Sequence, residues 1–287
     1  MSKIGKTPFS GREFLMKRVS SLLILIILFL FTQSALAQRC VVSGYPLFKI
    51  LQEIWPEENC YLLQPQRGEF HYSEPTPKDL ELIRRAELVF IVGTEPWAKK
   101  IYRLTSKDRV LALSQPEERV LNPHLWFDLT RIEASLKDFI YHASVKKSPH
   151  FEKIKRRLNL FEEDLKLLKE QYGALKNCPG KEFYVLGHSV FDYLFKDTGI
   201  KEIPLIKGHH HGEVTPKNIK ELLLRAKKGG ARVVLLGDRE LTRYKTLLEK
   251  EGLEVREVWT GDYNKEGSFI KLMQENLSVF KYTLRCP

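Results

Sequence analysis

The sequence predicts an α/β protein built as two four-stranded, largely parallel α/β lobes joined by one long backbone helix. Three observations carry that expectation. Short β-rich apolar runs alternate with amphipathic stretches, as in a parallel sheet covered by helices. The runs fall into two sets of four. Between the sets, Leu158, Phe161, Leu165 and Leu168 recur at helical spacing, which reads as one helix over residues 148–176.

In chain order, the first set of strands is expected at residues 39–43, 60–64, 87–92 and 109–113, and the second at 182–187, 202–206, 232–236 and 254–259. Two helix starts are also readable. Thr76-Pro77-Lys78-Asp79 supplies a cap, a proline at the first helical position and an acid at the third, and Thr215-Pro216-Lys217-Asn218 repeats the first half of that signal. Each of these helices leads towards a buried strand, so the two halves look like related units. The expected division is residues 1–37 as a leader, 38–147 as the N-terminal lobe, 148–176 as the linking helix and 177–287 as the C-terminal lobe.

The leader reading rests on Lys17 and Arg18 ahead of an unbroken apolar run from Leu22 to Phe31, followed by the small-residue site Ala35-Leu36-Ala37. That run covers about half of the roughly 20 residues a spanning helix needs, so a cleaved signal peptide is expected, with an uncleaved anchor as the alternative. Met16 is an alternative start. A lipid anchor at Cys40 is disfavoured because Gln38 and Arg39 precede it. The expected location is therefore the periplasm or extracytoplasmic face. Residues 38–287 carry 42 Lys and Arg against 35 Asp and Glu, a net +7. The charge is spread over Lys/Glu-rich helical stretches without aromatic interleaving, which reads as solvated faces and not a nucleic-acid surface.

Four cysteines remain: Cys40, Cys60, Cys178 and Cys286. In an exported chain an even count implies disulfides, with three possible connectivities. Cys40–Cys60 with Cys178–Cys286 is favoured, because Cys40 and Cys60 each sit at the start of an expected strand. None has Cys-x-x-Cys spacing, so they are poor metal ligands.

In open α/β sheets ligands bind beyond the carboxyl ends of the strands. Four reactive side chains lie there. His71 follows the second strand, His124 the fourth, His188 the fifth and Asp262 the eighth. Two come from each lobe, so a cleft could gather all four. Three imidazoles and a carboxylate suit Zn²⁺, with Mn²⁺ or Fe²⁺ where oxygen contributes more. Taken singly, each has an ordinary reading as a loop or turn residue. His142 and His150 lie by the helical region and are assigned to surface or packing roles. No His-Glu-x-x-His, Gly-x-Ser-x-Gly or phosphate-cradling motif is present, and Glu74, the one nominee for a general base, sits at a helix start, so an enzyme is not expected.

These residues also carry a family resemblance. Gly68-Glu69-Phe70-His71-Tyr72-Ser73-Glu74-Pro75-Thr76-Pro77-Lys78-Asp79 resembles the His-x-x-Glu-Pro-Thr-Pro-x-Asp segment of the zinc and manganese solute-binding proteins of bacterial ABC importers. Ser43-Gly44-Tyr45-Pro46-Leu47 is similar to that family's Ser-x-Tyr-Pro-Leu, Asn122-Pro123-His124-Leu125-Trp126-Phe127-Asp128 to its Asp-Pro-His-x-Trp-x-Asp, and Gly187-His188-Ser189-Val190-Phe191-Asp192-Tyr193 to its His-x-x-Phe-x-Tyr. Glu213-Val214-Thr215-Pro216 stands where the family has Glu-Pro-Ser-Pro. The matches run in order from Ser43 to about Asn276.

The resemblance implies a cluster A-I fold, with the metal bound as substrate between the lobes and delivered to an ABC importer permease by a monomeric protein. By position, His71, His124 and His188 become ligands. A histidine at 188, where manganese-selective members often have Glu, favours Zn²⁺ and leaves Mn²⁺ possible. The fourth ligand is open among Asp262, Glu257 and water. Asn122 replaces the usual Asp and is expected to matter little. The His209-His210-His211 tract is unmatched and reads as a solvated loop or a transient metal collector. An exported metal-buffering protein or adhesin would share the same site. A stiff linking helix implies a largely preformed cleft, with binding ordering loops around His71, His188 and Asp262.

Overall fold

The computed structural model describes residues 39–63, 74–115, 117–208 and 214–287. The leader, His71, the His209–His211 tract and Glu213 lie outside the described residues. Within 39–287 the chain forms one compact unit.

The N-terminal sheet contains β1 (Cys40–Val42), β2 (Tyr61–Leu62), β3 (Leu88–Ile91) and β4 (Val110–Ala112), in the order β2-β1-β3-β4. The C-terminal sheet contains β5 (Glu182–His188), β6 (Lys201–Ile206), β7 (Val233–Leu236) and β8 (Glu254–Glu257), in the matching order β6-β5-β7-β8. Every pairing is parallel. A parallel sheet is covered on both faces, which is why β1, β3 and β7 are buried at every position and read as continuous apolar runs. The outer strands β2 and β4 are shorter than expected. Arg109 instead closes a short 3-10 turn before β4.

Helices α1 (Tyr45–Ile54), α2 (Pro77–Arg85), α3 (Ala98–Leu104), α4 (Leu129–Tyr141) and α5 (Ala143–Lys146) accompany the first sheet. The long α6 (Phe151–Ala174) follows, and α7 (Asp192–Phe195), α8 (Pro216–Lys228), α9 (Lys245–Lys250) and α10 (Phe269–Thr283) accompany the second. Both Thr-Pro signals start helices as expected. The Thr76 side chain accepts from the Asp79 backbone N–H and Thr215 from that of Asn218, each in a reciprocal capping box.

The linking helix α6 spans 24 residues and buries Ile154, Leu158, Phe161, Leu165, Leu168 and Tyr172. That stripe belongs to one continuous core drawing on both sheets. Helix α10 reinforces the join: the Ile270 N–H donates to Glu53 Oε1 on α1 at 3.1 Å, and Lys49 Nζ on α1 donates to the Gly267 carbonyl at 2.9 Å. The two lobes thus share a core along α6 and are tied a second time through α1 and α10, which resists wide hinge rotation. Cys40 bonds Cys60, and Cys178 bonds Cys286, the favoured connectivity. No helix among the described residues is long and apolar enough to cross a membrane.

Candidate metal-binding site

His124, His188 and Asp262 converge at the carboxyl ends of the strands, with one ligand atom from each lying within 4.8 Å of the others. Both imidazoles are fully buried, and the Asp262 side chain is 10% exposed. His124 precedes the 3-10 turn Leu125–Phe127. His188 is the last residue of β5 and not a residue beyond it, at a point where the register against β6 slips after Val185. Asp262 lies past β8, in the loop before α10.

The orientation of the two rings follows from their partners. Asn122 Oδ1 accepts the backbone N–H of His124 at 3.0 Å, which fixes the amide so that its oxygen also faces His124 Nδ1 at 2.7 Å. An amide oxygen only accepts, so His124 carries its proton on Nδ1. His188 Nδ1 lies 3.2 Å from Asp238 Oδ1 and 3.4 Å from Oδ2, and a carboxylate imposes the same tautomer. With the proton on Nδ1, each ring turns its Nε2 lone pair into the cleft, and the two Nε2 atoms stand 3.1 Å apart. Two lone pairs at that separation repel each other, whereas a cation between them would be bound by both. The separation is close to the edge of a tetrahedron with metal–nitrogen bonds of about 2.0–2.1 Å, roughly 3.3 Å. Asp262 Oδ2 lies 3.9 Å from His188 Nε2 and supplies negative charge on the same side.

The Asp262 loop is held from both lobes. Asn276 on α10 accepts from the Trp259 N–H and donates to the Trp259 carbonyl, at 2.8 and 2.7 Å. Across the cleft, the Trp126 indole N–H donates to the Thr260 carbonyl at 2.8 Å, while the Trp126 ring meets His124 edge-on at 5.1 Å between centroids. Tyr263 donates to Glu257, and the Arg239 guanidinium stacks 3.9 Å over its ring. His188 sits in a strand and Asp262 in a loop pinned on two sides. The hydrogen bonds already hold them.

Glu257 does not join the cluster, because its carboxylate is engaged by Arg239 and Tyr263. His71 lies outside the described residues. His142 and His150 sit apart from the cluster: His142 Nδ1 accepts the Ser144 N–H at the start of α5, and His150 stands at the N-terminal boundary of α6 without a side-chain cap bond. Glu74 is exposed just before α2.

Sequence reasoning missed three groups around the site. Asn122 touches a candidate ligand directly. Asp238 follows β7, and the strand-end criterion that picks out the histidines would select it too. Glu202, in β6, accepts from the backbone N–H groups of Val190 and Phe191 and from Ser189 Oγ, holding the turn after His188. Burial pushes its carboxyl up to about 7, opposed by those two N–H donors. Glu95 plays a similar part in the other lobe. It accepts from the N–H groups of Val92 and Gly93 beyond β3, and burial raises its pKa.

Comparison with known proteins fits this geometry. Residues 40–282 match the family model described as the zinc-uptake complex component A, periplasmic (ZnuA). The chain belongs to this family. Its relatives within and around ZnuA include a putative metal-binding protein of Thermotoga maritima, 25% identical over 94% of this chain and 100% of the relative. The high-affinity zinc uptake system protein ZnuA of Bacillus subtilis is 25% identical over 85% of this chain and 86% of its own. Among solved structures, the Zn(II)-bound ZnuA-like domain of Streptococcus pneumoniae AdcA superposes with a TM-score of 0.69 at 20% identity, covering 85% of this chain and 98% of that one. A ZnuA crystal structure superposes at 0.67 and 17% identity, over 86% and 99%. These superpositions match the two-lobed α/β architecture of ZnuA-type proteins.

Proposed function

We propose that this chain is an extracytoplasmic solute-binding protein that captures Zn²⁺ as its cargo at His124, His188 and Asp262, with His71 as a further ligand, and delivers it to the permease of an ABC importer. The observation that carries this reading is the pair of buried Nε2 atoms 3.1 Å apart, on rings whose Nδ1 atoms each face an acceptor oxygen. A ligand set dominated by imidazole favours zinc over manganese, which prefers more oxygen. Membership of ZnuA, a family of periplasmic uptake components, supports export and transport, and a leader removed near Ala37 would account for the location. Zinc acts here as cargo, and no catalytic step is assigned.

Capture follows from the geometry. Asn122 and Asp238 preset both rings, the Trp126 to Thr260 hydrogen bond holds the Asp262 loop against the other lobe, and α6 with α10 limits opening. The ion replaces its water shell with ligands already facing it, so little protein ordering accompanies binding at the described residues. Chelator-stripped protein titrated with Zn²⁺ and Mn²⁺ in competition tests the reading. Zinc should win, and alanine at His71, His124, His188 or Asp262 should each weaken it. If His188→Ala left zinc affinity within about twofold, the assignment would be wrong.

A further inference from the structure

Asn122 has a second set of contacts that points across the cleft. Its Oδ1 serves His124. Its Nδ2 donates to Asp192 Oδ2 at 3.2 Å and lies 3.4 Å from the Val190 carbonyl, both in the turn that follows His188. The Tyr193 hydroxyl returns a hydrogen bond to the Asn122 carbonyl at 2.8 Å. Asn122 itself is 4% exposed, whereas Asp192 is exposed and the bond between them is part-buried. One amide thus joins the segment bearing His124 to the segment bearing His188.

Only a side chain with an acceptor on one arm and a donor on the other satisfies both sides. An aspartate at 122 would still accept from His124, but its second oxygen would face the Asp192 carboxylate and the Val190 carbonyl, with no proton to share. Two carboxylates in such contact repel. The other Asp192 oxygen lies 3.3 Å from Ser189 Oγ, whose single proton is shared with Glu202 at 3.1 Å. The acceptor role of Asp192 therefore reaches the residue next to His188.

We infer that Asn122 and Asp192 form a matched pair that clasps the two histidine-bearing segments across the cleft, with Asn122 as the positioning residue for His124. The inference rests on the reading of His124 and His188 as zinc ligands. Its distinctive consequence is that the pair can be exchanged. Asn122→Asp alone puts two carboxylates together, whereas Asn122→Asp combined with Asp192→Asn restores one donor between them.

The test is zinc affinity of the full mature chain, by chelator competition, for wild type, N122D, D192N and N122D/D192N, with urea unfolding of each metal-free protein alongside. N122D should bind zinc at least about tenfold more weakly, and the double variant should return to within about threefold of wild type. An N122D affinity within threefold of wild type, or a double variant no better than N122D, overturns the inference while leaving the zinc site standing. Should N122D fail to fold, recovery of folding and zinc binding in the double variant supports the pairing, and continued failure refutes it. Wild type that binds no zinc would overturn the site reading, and this inference with it.

Discussion

Replacing Gly261 with alanine should weaken zinc binding by moving Asp262, and the structure allows the effect to be sized. Gly261 has φ +90°, in the left-handed region, and a Cβ there would stand 2.7 Å from Pro46 Cγ and 2.8 Å from Trp126 Cε2, with Trp126 Nε1 nearer still. The backbone conformation alone costs a non-glycine residue roughly 1–2 kcal/mol, and forcing a methyl into a filled contact adds about 1–3 kcal/mol. The contact atoms belong to the lobe that carries His124, so relief of the clash must shift the loop that holds Asp262 or break the Trp126 to Thr260 hydrogen bond. Gly230 provides the control, because it has φ +65° and open space where a Cβ would stand, with no atom within 4 Å. G230A should lose only the backbone contribution, about 1–2 kcal/mol, and keep wild-type zinc affinity. G261A should lose about 2–5 kcal/mol in metal-free urea unfolding and bind zinc at least about tenfold more weakly. Equal zinc affinities for G261A and G230A would refute the claim that this close approach sets Asp262.

Three further outcomes follow from the same contacts. Trp126→Phe removes the indole donor from the buried Thr260 carbonyl and should cost about 1–3 kcal/mol in unfolding experiments, with a several-fold loss of zinc affinity; an affinity equal to wild type would show that this bond does not position the loop. Glu202 titrates near 7 when folded against 4.5 ordinarily, so it contributes stability that is fully present below pH 4.5 and lost as pH rises through about 7. Metal-free Glu202→Gln should therefore lack on the order of 3 kcal/mol of the wild type's fall in stability between about pH 5 and 8, and parallel pH profiles for the two proteins would contradict the assignment. Because a protonated imidazole cannot ligate, zinc affinity should fall in acid, and a flat affinity between about pH 5 and 8 would count against a histidine site.

Most of the fold is legible in the sequence because its signals are local. The central strands are doubly buried and therefore apolar without interruption, the linking helix shows its stripe at Leu158, Phe161, Leu165 and Leu168, and the Thr-Pro starts are self-contained caps. Edge strands β2 and β4 are shorter than expected because an edge residue pairs on one side only, leaving little in sequence to mark its end. Helix α10 locks α1 through Glu53 and Lys49, contacts more than 200 residues apart that no periodicity reveals. At the site, His124, His188 and Asp262 are readable from one rule, their position at or past strand ends. Asp238, which orients His188, obeys the same rule, but Asn122 and Glu202 are not found by it. Asn122 is not a ligand, so a search for ligands passes over it, and its bonds to Asp192 and Val190 join segments about 70 residues apart. Glu202 looks like a surface residue of an outer strand until the turn after His188 folds over it.

Zinc K-edge X-ray absorption on the one-to-one complex tests the central claim most directly. The account predicts a four-coordinate first shell with nitrogen at about 2.0–2.1 Å, outer-shell scattering from three imidazoles, and one carboxylate oxygen, with one imidazole lost in His188→Ala. A first shell of oxygen alone, or a spectrum unchanged by His188→Ala, would contradict it.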